Sequence, residues 1–271
     1  MYMTCTAIPY GSNVFTASPV SKFDVTPGLE NHLATRCTAA NIKEVSMTDK
    51  YFDNSSISLT SNNLWLRLRN SSFELKWPRD LSSHNQESSF IDVYNESNNW
   101  DVICETIKQV TGIDCGTPPC SQSSNELEPV HYENWLHEQG IVPFAVIVTN
   151  RRSYPLTLCL SQWDDLSVKV KVDIDNVTYV VDSGDDQSIQ PSREYNLGEV
   201  ELQSRLPEKC DPSALMTAVC QELAIGPLQS ESHVGTSTGR ARRGKVEEFL
   251  ARFRPEHYTK IFLHSAQAMT S

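Results

Sequence analysis

The 271-residue chain lacks several features that would assign it to a simple class. No apolar run approaches the roughly 18 residues that a membrane-spanning helix requires, which excludes a helical membrane protein. Asp and Glu (34) outnumber Lys and Arg (23), and the resulting net charge of −11 argues against a dedicated nucleic-acid-binding protein. The 11 glycines are too few for collagen, and an apolar content of 39% is too high for a wholly disordered chain.

Short catalytic and export motifs are missing as well. The sequence has no glycine-rich nucleotide loop, no Gly-x-Ser-x-Gly elbow and no internal repeat. Its eight cysteines include no Cys-x-x-Cys pair and have no histidine pair at zinc-finger spacing, so we expect reduced thiols. Because residues 1–21 have no basic start followed by an apolar stretch, we expect a cytoplasmic protein.

Two kinds of hydrophobic periodicity alternate along the chain. Apolar residues recur at helical spacing in four segments, 26–36, 100–112, 211–226 and 246–262. Strand-like segments lie between them, the clearest at 64–69, 73–77, 144–149, 168–175 and 197–202. Because strands outnumber helices and helices fall between groups of strands, we predict an α+β fold with a mostly antiparallel sheet. Segments rich in Ser, Asn or Gly predict loops at 80–90, 116–129 and 228–243.

Several of these strands carry charge on one face and aliphatic side chains on the other. On three of these strands, charges of like sign stand two residues apart, in the pairs Arg67/Arg69, Asp173/Asp175 and Glu199/Glu201. A solvated face is the ordinary explanation for any single strand. Like charges that face one another destabilise a sheet, however, unless a partner supplies the countercharge. A phosphate anion held by Arg and Lys, with Mg²⁺ held by carboxylates, would supply it if the sheet closed around a polar lumen.

Seven short motifs resemble, in order and spacing, those of the CYTH family, the triphosphate tunnel metalloenzymes. They lie at 49–53 (Asp-Lys-Tyr-Phe-Asp), 65–69 (Trp-Leu-Arg-Leu-Arg), 74–78 (Glu-Leu-Lys-Trp-Pro), 94–96 (Tyr-Asn-Glu), 149–151 (Thr-Asn-Arg), 172–175 (Val-Asp-Ile-Asp) and 198–201 (Gly-Glu-Val-Glu). Lys245, the stretch 252–255 (Arg-Phe-Arg-Pro) and Tyr258 resemble the thiamine triphosphatase branch in particular. The resemblance covers roughly residues 22–262.

The resemblance implies a closed eight-stranded antiparallel β tunnel with surrounding helices, which we assign to residues 22–264. It implies Mg²⁺-dependent hydrolysis of a triphosphate, most closely thiamine triphosphate to thiamine diphosphate and phosphate. We expect a monomer without nucleic-acid or membrane partners. Matching the motifs position by position implies catalytic roles for Lys22, Arg67 and Arg69. It implies substrate binding by Trp65, Lys76, Arg151 and Lys245, with Trp65 stacking on the thiamine portion. Metal binding is implied for Glu199, Glu201, Asp173 and Asp175.

The N-terminal segment departs from the family pattern. The family opens on a strand with Glu-x-Glu-x-Lys, whereas Ser18 and Val20 precede Lys22 here. Pro19 has no N–H for a ladder, which predicts a weakened or edge strand, and we expect residues 1–21 to form an atypical or poorly ordered segment. A second hypothesis follows, in which the chain binds triphosphate without catalysis. A third retains catalysis but on tripolyphosphate or a nucleotide.

Overall fold

The computed structural model describes residues 15–16, 20–78, 94–116, 129–163, 166–181, 193–204, 211–225 and 243–262, which form nine strands and six α-helices. The strands are β1 (Phe15–Thr16), β2 (Val20–Phe23), β3 (Lys43–Asn54), β4 (Trp65–Arg69), β5 (Ser72–Pro78), β6 (Tyr94–Ser97), β7 (Ile141–Leu160), β8 (Leu166–Val180) and β9 (Glu194–Leu202). The helices are α1 (Leu29–Arg36), α2 (Trp100–Thr111), α3 (Pro129–Glu138), α4 (Pro212–Glu222), α5 (Lys245–Phe253) and α6 (Pro255–Phe262).

All nine strands belong to one antiparallel sheet in the order β1-β6-β5-β4-β3-β7-β8-β9-β2. Although β1 and β2 are at opposite edges, Thr16 and Val20 are four residues apart in the chain, so their Cα atoms are at most about 14 Å apart. The sheet must therefore curl until its edges approach each other. The sheet confirms the predicted α+β class with eight antiparallel strands, to which the two-residue β1 is added. The strand β2 lies at an edge of the sheet, as Pro19 predicts.

The convex face of the sheet carries two separate hydrophobic clusters, each covered by helices. Aliphatic residues of β7, β8 and β9 pack against α1 and α4 around Leu33 and Val219. Residues of β3, β4 and β5 pack against α2 and α3 around Ile103 and Leu136. The leucines between Trp65 and Arg69 belong to the second cluster, as strand alternation predicts.

A third cluster lies on the concave face, and we call it the inner aromatic cluster. It contains Tyr51, Ala145, Ile147, Val177, Tyr179, Tyr195, Leu197, Phe249, Leu250 and Tyr258. Phe249, Leu250 and Tyr258 come from α5 and α6, so these helices cover one end of the concave face. Their position was not predictable from their own periodicity, which gives an apolar face but not its partner.

Several element boundaries follow from local chemistry. Asn99 caps α2 by accepting from the backbone N–H groups of Asp101 and Val102, and Gly112 ends the helix with φ 76°. Asp211 caps α4 in the same way, but α4 ends at Glu222, because Ala224 adopts a positive φ before the predicted stop at Gly226.

Other elements are longer than predicted or were not predicted. The strand predicted at 144–149 is part of the 20-residue β7, and β3 and α3 were not predicted as a strand and a helix. The predicted loops at 80–90 and at most of 116–129 and 228–243 lie outside the described residues, as do residues 1–14. None of the described helices combines the length and the apolar character that crossing a bilayer requires.

Candidate functional site

The predicted site residues of the strands share the concave face of the sheet. Directly paired residues of an antiparallel ladder project from the same face. Lys22 pairs with Glu199, which pairs with Asp173 on β8, and the same register continues to the other strands. The linking pairs are Arg151 with Asp175 and Val45, Asp49 with Arg69, Tyr51 with Arg67, and Lys76 with Trp65 and Glu96.

Fourteen buried or half-buried charged side chains lie on this face beside the inner aromatic cluster, and we call them the charged chamber. Seven are cationic: Lys22, Arg67, Arg69, Lys76, Arg151, Lys171 and, reaching in from α5, Lys245. Seven are acidic: Asp49, Glu74, Glu96, Asp173, Asp175, Glu199 and Glu201. The formal charges of this set therefore balance.

Arg151 is the centre of the acidic side of the charged chamber. Its guanidinium donates to both carboxylate oxygens of Asp175 at 2.7 Å, to Asp173 at 2.7 Å and to Glu199 at 3.0 Å. Burial raises the pKa of Asp175, but the hydrogen bonds from Arg151 and the charge of Lys245 outweigh burial and hold that pKa below its usual value. Asp175 is thus an ionised carboxylate that two cations stabilise.

Arg67 and Arg69 occupy the opposite side. Arg67 donates to Glu74 at 2.5 Å and to Glu96 at 3.0 Å, and Arg69 donates to both oxygens of Asp49 at 2.6 and 2.9 Å. Burial by itself would lower the pKa of Arg67, whose side chain is 7% exposed, but Tyr51, Asp49 and Glu74 raise it above its ordinary value. Both arginines are therefore fixed in place by carboxylates on neighbouring strands.

Three lysines complete the network at more accessible positions. Lys76 lies 3.2 Å from Glu96, and Lys171 lies 2.7 Å from Glu201; both lysine side chains are about one-third exposed. Burial and the charge of Arg67 lower the pKa of Lys76, although Glu96 opposes this. Lys22 lies beside Glu199 in the ladder and contributes to lowering the pKa of that carboxyl.

Lys245 joins the charged chamber from the helix that covers its end. It is the first residue of α5, and its Nζ lies 3.0 Å from Asp175. The Tyr179 hydroxyl donates to the Lys245 carbonyl, and the Tyr195 hydroxyl donates to the carbonyl of Arg243. These two tyrosines of the inner aromatic cluster hold the start of α5 so that Lys245 points at the acids.

Electrostatic interactions across the charged chamber reflect the curvature of the sheet. Glu199 on β9 raises the pKa of Lys76 on β5, and Lys245 lowers the pKa of Asp49 on β3. In a flat sheet β5 and β9 would be separated by about 24 Å, from a strand spacing of about 4.8 Å, which is well beyond the screening length. The two strands therefore face each other across the concave side.

The charge pairing differs from the expectation from single strands. Like charges within a strand suggested that a guest would supply the countercharge, but neighbouring strands supply it instead. Each of the fourteen residues of the charged chamber interacts with at least one oppositely charged member of the set. An anion that enters must consequently compete with carboxylates that the arginines already hold.

The four predicted metal ligands do not form a ready ligand set as they are arranged. Asp175 uses both oxygens on Arg151 and Lys245, Asp173 accepts from Arg151 and Ser153, and Glu201 pairs with Lys171. Within the described residues, no three His, Cys, Asp or Glu side chains converge on a point where a metal ion could sit. The predicted Mg²⁺ requirement stays a prediction.

Trp65 lies where the charged chamber meets the inner aromatic cluster. It pairs with Lys76 in the ladder, packs partly against that cluster, and donates from its indole Nε1 to Asn63 at 2.7 Å. Asn63 also accepts from the Tyr94 hydroxyl at 3.3 Å. An aromatic surface therefore lies beside the predicted phosphate-binding cations.

Sequence reasoning did not assign four charged members of the site: Asp49, Glu74, Glu96 and Lys171. Strand alternation could have found Glu74 and Lys171, since each is two residues from a predicted site residue on its own strand. Asp49 and Glu96 stand within motifs of the resemblance, and their pairing with Arg69 and Lys76 depends on a register that the sequence alone does not give.

Comparison with known proteins gives low similarity. No family model and no curated protein matches the chain. Among solved structures, a candidate adenylate cyclase of Bacillus halodurans is similar with a TM-score of 0.41 and 13% identity over 86% of this chain and 98% of that chain. HpAC1 of Hippeastrum, described as having a dominant triphosphatase activity, has a TM-score of 0.39 and 15% identity over 78% of this chain and 88% of that chain. The Schizosaccharomyces pombe Mediator head module has a TM-score of 0.38 and 10% identity over 77% of this chain and 94% of that chain. Scores and identities this low assign neither a family nor an activity to this chain.

Proposed function

We propose that the chain binds a triphosphate in the charged chamber and hydrolyses its terminal phosphoanhydride bond, with thiamine triphosphate as the preferred substrate. The observation that carries the proposal is the convergence of Arg67, Arg69, Lys76, Arg151 and Lys245 from three strands and a helix onto one concave face. These are the residues that the motif resemblance assigns to phosphate binding. Convergence from distant parts of the chain is what a multidentate anion site requires.

The chemistry needs little covalent participation by the protein. Phosphoryl transfer to water depends mainly on positioning and on charge stabilisation at the phosphoryl oxygens. Arg67 and Arg69, held rigidly by their carboxylates, would exchange those partners for phosphoryl oxygens, and Lys22 would add charge beside them. Glu199, whose carboxyl pKa the cations Lys245, Arg151 and Lys22 hold below its usual value and which is one-fifth exposed, would orient the attacking water.

Charge balance bears on how the substrate enters. A fully ionised triphosphate would add several negative charges to a chamber whose own charges cancel. We therefore expect the substrate to arrive with Mg²⁺ as its counterion, which would make activity depend on magnesium without a preformed metal site. Lys43 and Lys169 share the inner face beyond the charged chamber and are exposed, which favours attraction of the incoming anion.

A non-catalytic triphosphate-binding protein is the second candidate. Val20 pairs with Glu201 at the position where the resembled family has a glutamate, and the existing carboxylates are already paired. Under this alternative the charged chamber would bind the anion, but no group would activate water.

Phosphate release and calorimetry separate the two candidates. Purified protein would be given thiamine triphosphate, tripolyphosphate and ATP, each with and without Mg²⁺. Lys76→Ala removes a cation of the chamber whose side chain is about one-third exposed, so we expect a loss of at least about tenfold in activity with folding intact. Arg152→Ala, on the convex face of the same β7 strand as Arg151, is the control and should keep the activity.

The outcomes are distinct. Binding of tripolyphosphate without hydrolysis of any compound would establish the second candidate. Hydrolysis that Lys76→Ala leaves unchanged would remove the chamber as the active site. Absence of both binding and hydrolysis would contradict both candidates.

A further inference from the structure

The connection between β3 and β4 contains an asparagine that accepts hydrogen bonds from two aromatic side chains. The Oδ1 atom of Asn63 lies 2.7 Å from the indole Nε1 of Trp65 and 3.3 Å from the hydroxyl oxygen of Tyr94. An indole N–H can only donate, so the amide oxygen of Asn63 must be the atom that faces Trp65. Trp65 is on β4 and Tyr94 is on β6, with β5 between them, so Asn63 links side chains of two strands that are not neighbours.

The backbone places Asn63 for this contact. Asn63 follows a single turn of 3₁₀ helix, Thr60–Asn62, and has φ 58° and ψ 30°, a left-handed conformation that asparagine adopts more readily than most residues. Its backbone N–H donates to the Thr60 carbonyl at 3.0 Å, and the N–H of Leu64 donates to the Leu59 carbonyl at 3.0 Å. Because both leucines are fully buried, the turn is anchored in the convex cluster of β3, β4 and β5.

A buried carboxyl group holds the start of the same turn. Asp53, which is 2% exposed, accepts from the backbone N–H groups of Leu59 and Thr60 at 2.9 Å and from the Thr60 hydroxyl at 2.5 Å. Since that hydroxyl donates to Asp53, its oxygen accepts from Nε2 of His257 at 2.8 Å, which ties α6 to the turn. Asn63 is therefore held by contacts that do not depend on Trp65.

We propose that Asn63 is a positioning residue for substrate selection, which fixes the Trp65 ring in the orientation that stacks on the cationic ring of thiamine triphosphate. The inference rests on the function proposed above and adds the residue that makes Trp65 selective. A free indole ring rotates about its side-chain bonds, and this freedom would be lost when a ligand stacks on it. With its N–H group held, the ring is ordered before the ligand arrives.

Packing alone would restrain this ring poorly. Trp65 is only partly buried and packs against the inner aromatic cluster without belonging to its buried set. A hydrogen bond from the indole N–H also polarises the ring towards greater electron density, which strengthens its attraction for a cation. Tripolyphosphate has no ring, so its binding should not depend on Asn63.

Two substitutions separate the acceptor from the backbone conformation. Asn63→Gly removes the acceptor and keeps the left-handed conformation, so the variant should fold, whereas Asn63→Asp keeps both. Asn70 is the matched control, because it also has a positive φ of 53° and its Oδ1 accepts from the backbone N–H of Thr48 at 3.1 Å. Asn70→Gly therefore makes the same change in the turn after β4, where the acceptor serves a strand and not Trp65.

The indole N–H signals of the five tryptophans report the contact directly in NMR spectra of the isotopically labelled full-length protein. Trp65→Phe identifies the Trp65 signal by its loss. Hydrogen exchange at this signal should be about fivefold faster in Asn63→Gly than in the wild type, and close to the wild-type rate in Asn63→Asp and Asn70→Gly. Unchanged exchange in Asn63→Gly would overturn the inference.

Calorimetry measures selectivity as the ratio of the Kd for tripolyphosphate to the Kd for thiamine triphosphate at equal Mg²⁺. We expect Asn63→Gly to lower this ratio about fivefold through weaker binding of thiamine triphosphate, while Asn63→Asp and Asn70→Gly keep it. In the Trp65→Phe protein, which has no indole N–H at this position, adding Asn63→Gly should change the ratio no further.

The inference and the proposed function fail in different ways. A wild-type protein that binds thiamine triphosphate no more tightly than tripolyphosphate would overturn the proposed substrate, and this inference with it. A preference that Asn63→Gly retains, or a further loss in the Trp65→Phe protein, would overturn the inference alone and leave the proposed function standing.

Discussion

Arg151 and Arg152 are adjacent in the chain and make similar numbers of ion pairs, yet removing them should have very different costs. Arg151 holds Asp173, Asp175 and Glu199 inside the charged chamber. Arg152 holds Glu30 and Glu44 on the convex face, where its side chain is 44% exposed. Replacement of each by Met keeps most of the side-chain volume and removes the charge, so the comparison isolates the effect of burial.

The magnitude follows from what each substitution leaves behind. Removing one partner of a buried ion pair costs about 3–5 kcal/mol, because the other charge stays buried without compensation. Asp175 keeps Lys245 and Asp173 keeps Lys171 and Ser153, so we expect Arg151→Met to cost about 3 kcal/mol. The glutamates around Arg152 can turn to water, so Arg152→Met should cost about 0–1 kcal/mol.

The cost should also depend on pH in a defined direction. Asp175 has a depressed pKa in the folded protein, so its contribution to stability is present above its unfolded pKa and is lost as the pH falls through the folded pKa. In Arg151→Met, burial is opposed by fewer donors and the pKa of Asp175 rises. Protonation of Asp175 then removes the uncompensated buried charge from the variant at a pH where Asp175 of the wild type is still ionised. The difference in unfolding free energy between the two proteins therefore shrinks as the pH falls.

Urea unfolding of the wild type and both variants at pH 7.5 and pH 5 measures these quantities. The reasoning is refuted if Arg151→Met costs less than about 1 kcal/mol at pH 7.5, the range of an exposed pair. It is refuted equally if the two arginine variants lose the same stability, or if the cost of Arg151→Met grows on acidification.

Three further predictions concern other parts of the molecule. Trp65→Ala should reduce hydrolysis of thiamine triphosphate at least about tenfold more than hydrolysis of tripolyphosphate, since only the former carries a ring to stack; equal losses would contradict the proposed substrate. Gly198→Ala should destabilise the protein by about 1–3 kcal/mol or more in urea unfolding, because the added Cβ would overlap the Phe23 ring, whereas Gly244→Ala has room and should cost little. Burial lowers the pKa of His257, whose Nε2 shares a hydrogen bond with the Thr60 hydroxyl. The neutral ring therefore stabilises the fold above about pH 6.5, and this contribution is lost as the pH falls. His257→Gln should remove that part of the pH dependence between pH 7.5 and 5.5, as followed by thermal unfolding.

The strand faces were predictable from sequence, because a period of two is visible in any strand that separates charge from aliphatic residues. Arg67 and Arg69 lie on one face, and Leu66 and Leu68 lie in the convex core. The pairing partners were not predictable in this way. A shift of one strand by two residues would keep every face and change every partner, and the distances that place Glu74 on Arg67 depend on that register.

The inner position of α5 was not predictable for a different reason. Its apolar face, with Phe249 and Leu250, is equally suited to either side of a sheet. The tyrosines that receive it, Tyr179 and Tyr195, lie on the same face of their strands as the acids and anchor its first turn. Lys245 is therefore a chamber residue through tertiary contacts that single-strand patterns do not contain, although the motif resemblance assigned it a phosphate-binding role.

The paired state of the charged chamber determines which anions can bind it. Because every arginine already has carboxylate partners, a guest gains only the difference between its own contacts and those it displaces. For a single phosphate that difference is small, since it can replace the partners of one or two cations. A triphosphate reaches several cations with one loss of translational freedom, and its net gain accumulates along the chain of phosphates. Tripolyphosphate should therefore bind at least about 100-fold more tightly than orthophosphate in calorimetric competition at equal Mg²⁺, and Arg152→Met should leave that ratio unchanged. Equal affinities for the two anions would mean that the cations of the chamber do not act on one guest together.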